Sequence, residues 1–357
     1  MRPTARCFGL LFLAAAAAGT AAGTGRDQLW ALSASALIAP ALGAAILALD
    51  TRRTSHELSF VTDRVQSPSP THSKWEARCP RSVCVADVEV SCSDGGVRAF
   101  RLSPSARTRT RTLQFANTRR GYLTVGPVTE TTWDPFGCVR RTVVKPVLAR
   151  TLIWPRTEDL QLDMARGGPH PAQAARKVGT GTDLHSLREY EDGDDVRYID
   201  HLASARHEVP LVKRHWHQER ETVVVVADAR AGSDQLDFLA QASASILASF
   251  SNSGHPTTLV VTDGTKVDCQ PGSTTLSDAM DVLALMETSP GDLAETIRHV
   301  HQLGRIFVVT ADATAVGEDP TATYVTLGSG PATENQISWV PLVPFSTAWT
   351  TYMDSIA

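Results

Sequence analysis

The chain has 357 residues, of which 42% are hydrophobic and 20% are charged. This length accommodates two ordinary domains plus a membrane anchor, and the apolar content excludes a disordered protein. The net charge of −4 argues against bulk nucleic-acid binding, although residues 1–150 carry +10 and the remainder −14. Either the two halves dock through opposite charge, or the basic half contacts anionic lipid headgroups.

Residues 1–53 are predicted to form a transmembrane helical hairpin with spans at 8–24 and 29–49. The first span is short and rich in alanine, whereas the second is uncharged and long enough to cross the hydrocarbon core. A proline at position 40 is tolerated inside a membrane helix. The chain is therefore expected to be a multi-pass protein of the cell membrane.

The arginines that flank the spans predict the orientation. Arg2 and Arg6 precede the first span, and Arg52 and Arg53 follow the second. Because positive flanks stay on the cytoplasmic side, the soluble body is expected in the cytoplasm. A cleaved signal peptide in place of the first span gives the same orientation. Only a first span that fails to enter the membrane would leave the body outside.

Residues 54–156 read as short strands and predict a small, basic β-sandwich. A turn at Ser93 to Gly96 separates two strand-like segments. Arg107, Arg109 and Arg111 alternate with threonine, so they share one face of a strand. They form either a patch for a membrane or an acidic partner, or a charged edge strand that resists aggregation.

Residues 157–182 are rich in glycine and proline and are predicted to be a linker. Residues 183–357 then alternate strand-like and helix-like segments, which predicts a parallel α/β sheet. A β-branched run after Glu221 ends at Asp228 and predicts a central strand buried on both faces. Open α/β sheets bind their ligands at the carboxyl ends of such strands. Helices are expected at 236–250, 276–286 and 293–303, and strands at 257–262, 306–310 and 324–327.

A dense set of mostly charged and small residues precedes the β-branched run that ends at Asp228. In chain order these residues are Arg188, Glu189, Tyr190, Gly193, Asp194, Asp195, Arg197, Asp200, Ser204 and Arg206. It resembles the signature of the family called domain of unknown function 58. Gly126-Pro127 and the segment from Asp134 to Gly137 resemble the same family upstream. His201 departs from the pattern, since the family usually has tryptophan there.

The resemblance implies a von Willebrand factor A-like, Rossmann-type α/β fold after the signature. It also implies an association with MoxR-type AAA+ ATPases and transglutaminase-like membrane proteins. It implies no catalysis and no cofactor. The signature residues are therefore expected either to dock a partner protein or to join the two soluble domains.

The A-type fold binds Mg²⁺ through an Asp-x-Ser-x-Ser motif, followed by a later threonine and aspartate. Here the motif positions are Asp228, Arg230 and Gly232, with Asp312 as the later acid. Arginine brings a cation where a hydroxyl should bind Mg²⁺, and glycine brings no ligand. Asp228 and Asp312 are therefore predicted to be a vestigial site that holds no metal. Asp228 instead pairs with Arg230 or caps the next helix.

No catalytic motif stands out, and the acids and arginines of the signature suggest a mutually neutralising network. The leading hypothesis is a non-enzymatic, membrane-tethered adaptor that docks a protein on the cytoplasmic face, with a MoxR-type AAA+ ATPase as the candidate partner. The alternative is a metal-dependent A-type binder that uses Asp228, and a hydrolase is a third interpretation. Membrane lipids are expected partners and nucleic acid is not.

Overall fold

The computed structural model describes residues 1–49, 54–78, 84–102, 108–116, 119–162, 177–179, 183–191, 197, 199–207, 209–217, 221–317, 319–328 and 335–355. The chain divides into two compact units, Met1–Trp154 and Pro155–Ala357.

The first unit begins with a helical hairpin of α1 (Ala5–Thr24) and α2 (Asp27–Leu49). Gly25 ends α1 with φ of 64°, a left-handed conformation that favours glycine, and its N–H donates to the Ala21 carbonyl at 2.9 Å. Large apolar side chains such as Phe12 and Ile38 face outward. The prediction of two apolar helices is thus confirmed, and their length and composition suggest association with a membrane.

The rest of this unit consists of two sheets. The strands are β1 (Arg2–Pro3), β2 (Ser55–Phe60), β3 (Arg64–Gln66), β4 (Thr71–Arg78), β5 (Val85–Cys92), β6 (Val97–Leu102), β7 (Thr108–Phe115), β8 (Gly121–Trp133), β9 (Val139–Lys145) and β10 (Ala149–Trp154). One sheet has the order β1-β9-β8-β10-β3, with β5 pairing β8 and β6, and the other has the order β2-β4-β7. Alternate residues of both sheets, including Trp75, Val88 and Phe115, share one core. We call residues 54–154 the two-sheet body.

The helical hairpin and the two-sheet body share contacts that the sequence did not predict. The N-terminal strand β1 pairs with β9, and the Thr4 N–H donates to the Cys138 carbonyl at 2.9 Å. Buried Cys7 and Leu47, one from each helix, pack with Cys138 in a small apolar cluster. The predicted separate domains 1–53 and 54–156 therefore form one compact unit, which ends at Trp154.

The second unit contains a small antiparallel sheet and a large, mostly parallel one. The small sheet has the order β11-β13-β12, and its elements are β11 (Lys177–Gly179), β12 (Asp183–Glu189), α3 (His201–His207) and β13 (Leu211–His217). The large sheet region contains β14 (Val223–Ala227), α4 (Ser233–Asn252), β15 (Thr257–Val261), β16 (Lys266–Cys269), α5 (Thr275–Leu285), α6 (Leu293–Val300), β17 (Arg305–Thr310), a 3-10 turn (Ala313–Ala315), β18 (Thr323–Leu327), β19 (Gln336–Trp339) and α7 (Phe345–Ser355).

The large sheet has the order β16-β15-β14-β17-β18-β19. Every pairing is parallel except that of the edge strand β16 with β15. All five residues of the central strand β14 are buried, which explains its unbroken β-branched sequence. This strand carries the candidate site, because its last residue is followed directly by Asp228.

Several elements differ from the sequence-based expectation. The third expected helix ends at Val300 instead of position 303, and β16, β19 and α7 were not predicted.

Two parts of the segment predicted as a linker, residues 157–182, bond to other elements of the second unit. Strand β11 pairs with β13, and the Leu160 N–H donates to the Ser249 hydroxyl of α4 at 3.1 Å. The remaining linker residues, 163–176 and 180–182, lie outside the described residues.

Candidate functional site

The candidate site lies at the carboxyl ends of β14, β15 and β17. Asp228 follows β14 directly, and its N–H still donates to the Val309 carbonyl at 2.9 Å, so the backbone remains fixed to the sheet. The side chain is 3% exposed. A carboxylate buried to this degree needs a charged partner or several hydrogen-bond donors.

Arg230 supplies most of those donors. Its guanidinium donates from Nε to one Asp228 oxygen at 2.9 Å and from Nη2 to the other at 2.9 Å. Its backbone N–H donates to the first oxygen at 3.0 Å. The Thr310 hydroxyl donates to the second oxygen at 2.6 Å. Of the alternatives considered for Asp228, the ion pair with Arg230 is therefore the one present, in the bidentate form that suits arginine.

Two further side chains complete this end of the sheet. The Thr262 hydroxyl, after β15, accepts the Ala229 N–H at 2.9 Å. Asp312 lies after β17 and accepts the Thr314 N–H at 2.9 Å and the Thr314 hydroxyl at 2.6 Å, so it caps the short 3-10 turn. Both acids of the predicted vestigial site are thus engaged by groups of the chain itself.

Electrostatics favour the ionised form of both acids. Burial raises the pKa of Asp228, but the hydrogen bonds from Arg230 and Thr310 outweigh it and hold the pKa below its ordinary value. The hydrogen bonds from Thr314 lower the pKa of Asp312, which is solvent-exposed. Within the described residues, no group of three or more acidic, histidine or cysteine side chains is arranged to hold a metal ion.

The signature residues build the connection between β12 and β13. Asp200 accepts the Ala203 N–H at 3.0 Å through its side chain and so caps α3. The Ser204 hydroxyl donates to the Asp200 carbonyl at 2.6 Å and accepts the Leu211 N–H of β13 at 2.8 Å. These two residues fix the helix to the strand, which is a structural role.

The other signature residues fall into three groups. Arg188 pairs through its backbone with Val212, and the Tyr190 N–H donates to the Pro210 carbonyl at 2.8 Å. The charged residues with solvent-exposed positions are Glu189, Arg197 and Arg206. The residues outside the described part of the chain are Gly193, Asp194 and Asp195.

Sequence reasoning did not assign Thr262 and Thr310 to the site. Each is buried and lies at the carboxyl end of a strand next to β14. The available clue was a hydroxyl residue at the end of each of two apolar strands. The contact of Thr310 with Asp228 could not be inferred, because the sequence does not give the strand order.

Residues 186–316 match the family model described as Protein of unknown function DUF58. This segment of the chain is similar to DUF58. The DUF58 segment contains the whole signature from Arg188 to Arg206, together with Asp228 and Asp312. It ends before β18, so the last two strands and α7 lie outside the match.

No curated protein matches the chain. Among solved structures, the CARDB domain of a Pyrococcus furiosus protein is 13% identical, with 29% of this chain and 90% of that chain covered and a TM-score of 0.21. A Pseudomonas fluorescens alkylpurine DNA glycosylase is 14% identical, with 34% and 38% covered and a TM-score of 0.17. A β-glucosidase from Erythrobacter marinus is 10% identical, with 29% and 15% covered and a TM-score of 0.17. At these scores the likeness indicates nothing about fold or function.

Proposed function

We propose that this protein is a non-enzymatic, membrane-tethered adaptor whose α/β unit binds a partner protein. The ion pair between Asp228 and Arg230 carries the proposal. It occupies the place in the sheet where open α/β domains position catalytic or metal-binding groups. Four donors already engage this carboxylate, so it has little capacity left for a metal ion or a proton-transfer role.

The sheet order supports an A-type, Rossmann-like domain. In chain order the six strands run 3-2-1-4-5-6, the order of doubly wound sheets, with only the edge strand β16 antiparallel. The family resemblance of the signature residues implies the same fold. An A-type domain whose aspartate is paired with its own arginine would bind partners without a bridging metal.

The hairpin supports anchoring with both ends on one side of a membrane. Helices α1 and α2 are antiparallel neighbours joined by a short turn, and the Ser33 hydroxyl donates to the Ala14 carbonyl at 2.9 Å. Strand β1 precedes α1 and pairs with β9, so removal of the first span would also remove an edge strand from the larger sheet of the first unit. This argues for retention of the first span. The arginines at 2, 6, 52 and 53 favour a cytoplasmic body.

We propose a MoxR-type AAA+ ATPase as the partner and the surface around Arg197 as its docking point. Arg197 and Arg206 are exposed in the signature region, and arginine is enriched among the residues that dominate interface energies. The positive charges of these two arginines would complement an acidic surface on the ATPase.

The test is recovery of a purified MoxR-type ATPase on full-length protein in detergent. Arg197→Ala combined with Arg206→Ala should reduce recovery by about tenfold, as expected for the loss of roughly 1.4 kcal/mol at an interface. Arg298→Ala is the matched control, because Arg298 is an exposed arginine of the same unit whose Nε donates to the Ala294 carbonyl of its own helix at 3.2 Å. Equal recovery by the folded double variant and the wild type would refute docking at this surface.

A further inference from the structure

A cleft of about 640 Å³ opens on the first unit where the chain enters α1. The residues that matter among its lining are Arg6, Arg101, Trp133, Asp134, Gly137 and Arg140. All of them belong to Met1–Trp154, so the cleft is a feature of one compact unit.

The turn from Asp134 to Gly137 forms one wall of the cleft. Asp134 accepts the Phe136 N–H at 3.0 Å and the Val139 N–H at 2.6 Å, one with each carboxylate oxygen. Gly137 has φ of 71°, and a Cβ there would lie 3.1 Å from Nη1 of Arg6. The turn therefore places the Arg6 guanidinium directly over a glycine, at the start of α1.

The charges of this cleft are not balanced by its own acids. Arg101 is engaged by Asp87, with Nε donating to a carboxylate oxygen at 2.7 Å. The carboxylate of Asp134 is used by the backbone of its own turn. In the described part of the chain, no acidic side chain forms an ion pair with Arg6 or Arg140. Both residues are exposed, and two arginines thus face the cleft with their charge available to an anion.

The cleft also lies beside the apolar surface of the hairpin. Phe8, two residues after Arg6, is 60% exposed, and the outward face of α1 continues apolar through Phe12. The helix rises about 1.5 Å per residue, so the Arg6 backbone lies only about 3 Å along the axis from that of Phe8. Arg140 stacks over Trp133, with its guanidinium carbon 5.7 Å from the ring centroid. Tryptophan and arginine side by side are typical of the headgroup level of a bilayer.

We propose that this cleft binds the phosphate of an anionic phospholipid headgroup, held between Arg6 and Arg140. The proposal rests on the membrane anchoring proposed above. The planar guanidinium forks of two arginines match phosphate oxygens, and the anionic leaflet raises the local concentration of the ligand. Such a site differs from a diffuse basic patch because it holds a fixed number of lipids.

The experiment uses the full-length protein in lipid nanodiscs of phosphatidylcholine with a minority of phosphatidylglycerol, followed by native mass spectrometry. We expect one phosphatidylglycerol molecule to remain on each wild-type chain. Arg6→Gln combined with Arg140→Gln should lower this occupancy by about tenfold, since both phosphate-binding forks are lost. Arg26→Gln combined with Arg98→Gln is the matched control, because it removes the same charge from two exposed arginines outside the cleft.

Equal occupancy in the two double variants would overturn the proposal. If the Gln double variant does not fold, Arg6→Lys combined with Arg140→Lys keeps the charge and removes the forks. It should then retain less lipid than wild type, and unchanged occupancy would refute the fork-based site. Displacement of the lipid by millimolar glycerol phosphate would show that the cleft binds a soluble phosphate ester instead.

Flotation with vesicles of pure phosphatidylcholine distinguishes a failure of the lipid site from a failure of the membrane anchor. A wild-type chain that floats but retains no phosphatidylglycerol contradicts the lipid site alone. A wild-type chain that does not float contradicts the anchor, and the lipid site falls with it.

Discussion

Arg230 provides three of the four donors that hold the Asp228 carboxylate, and its side chain provides the positive charge that balances this buried group. In Arg230→Ala the backbone N–H and the Thr310 hydroxyl remain, but both guanidinium bonds are lost. A buried acceptor left without its partner costs about 1–3 kcal/mol. We expect the amides of Val223–Ala227 to exchange hydrogen roughly 5- to 150-fold faster at pH 7. Arg305→Ala, in the adjacent strand β17, is the control that leaves Asp228 fully bonded.

The difference in hydrogen exchange between Arg230→Ala and wild type should depend on pH, because the Asp228 carboxylate must be ionised to form the ion pair. The pKa of Asp228 is lowered in the folded protein, mainly because hydrogen bonds from Arg230 and Thr310 outweigh burial. Its contribution to stability is therefore complete above the unfolded pKa of about 3.9 and is lost as the pH falls through the folded pKa. The difference between wild type and Arg230→Ala should shrink below about pH 4. A difference that stays constant from pH 7 to pH 3, after correction for intrinsic exchange rates, would contradict the ion-pair account.

For individual residues, the sequence predicts contacts between near neighbours in the chain and misses contacts between distant ones. Asp228 could be located because it ends a β-branched run, and Arg230 could be proposed as its partner because it lies two residues further on. Thr310 donates from 82 positions away. Its contact depends on the pairing of β14 with β17, which the sequence alone does not reveal.

Among the elements, α7 has its N-terminus held by a residue far away in the chain. Both carboxylate oxygens of Glu158 are used: one accepts the Ser346 N–H and hydroxyl at 2.9 Å each, and the other accepts the Gln241 amide at 2.9 Å. Glu158 thus caps the N-terminus of α7 and ties it to α4, and a carboxylate there also suits the helix dipole.

Glu158→Ala should loosen α7. The variant leaves three donors without their acceptor, at a cost of about 1–3 kcal/mol. Faster hydrogen exchange across Phe345–Ser355, with little change in β14, is the expected result. Asp159→Ala is the matched control, since Asp159 is the neighbouring acid and is exposed. Equal protection of α7 in the two variants would show that Glu158 does not stabilise the helix.

Elements with strong periodicity were predictable, and those held by remote contacts were not. Helix α4 was expected from its apolar spacing and is present as Ser233–Asn252. Helix α7 carries mixed polar and aromatic residues, and its aromatic face is buried by contacts such as that of Phe307 with Trp349. The cap on α7 spans 188 positions. No local pattern in the sequence contains that information.

For the whole molecule, the hairpin makes a prediction about topology. We expect a fluorescent protein fused after Ala357 to be fluorescent and alkaline phosphatase fused there to be inactive, because arginine flanks favour the cytoplasmic side of a membrane. The same reporters placed after Arg26, in the turn between α1 and α2, should give the opposite results. Active phosphatase after Ala357 would mean that the soluble body lies outside.

The pairing of β1 with β9 has a consequence for synthesis. The N–H and the hydroxyl of Thr4 both donate to the carbonyl of Cys138, 134 positions later. At about 5–20 residues per second, the ribosome needs roughly 7–27 s to deliver the second partner after the first. Both hydrophobic helices leave the ribosome within that interval, before the sheet can be completed. Until β9 is made, the edge of β1 has no partner and is open to other strands, and a slow ribosome prolongs the period in which the nascent chain is prone to mispairing.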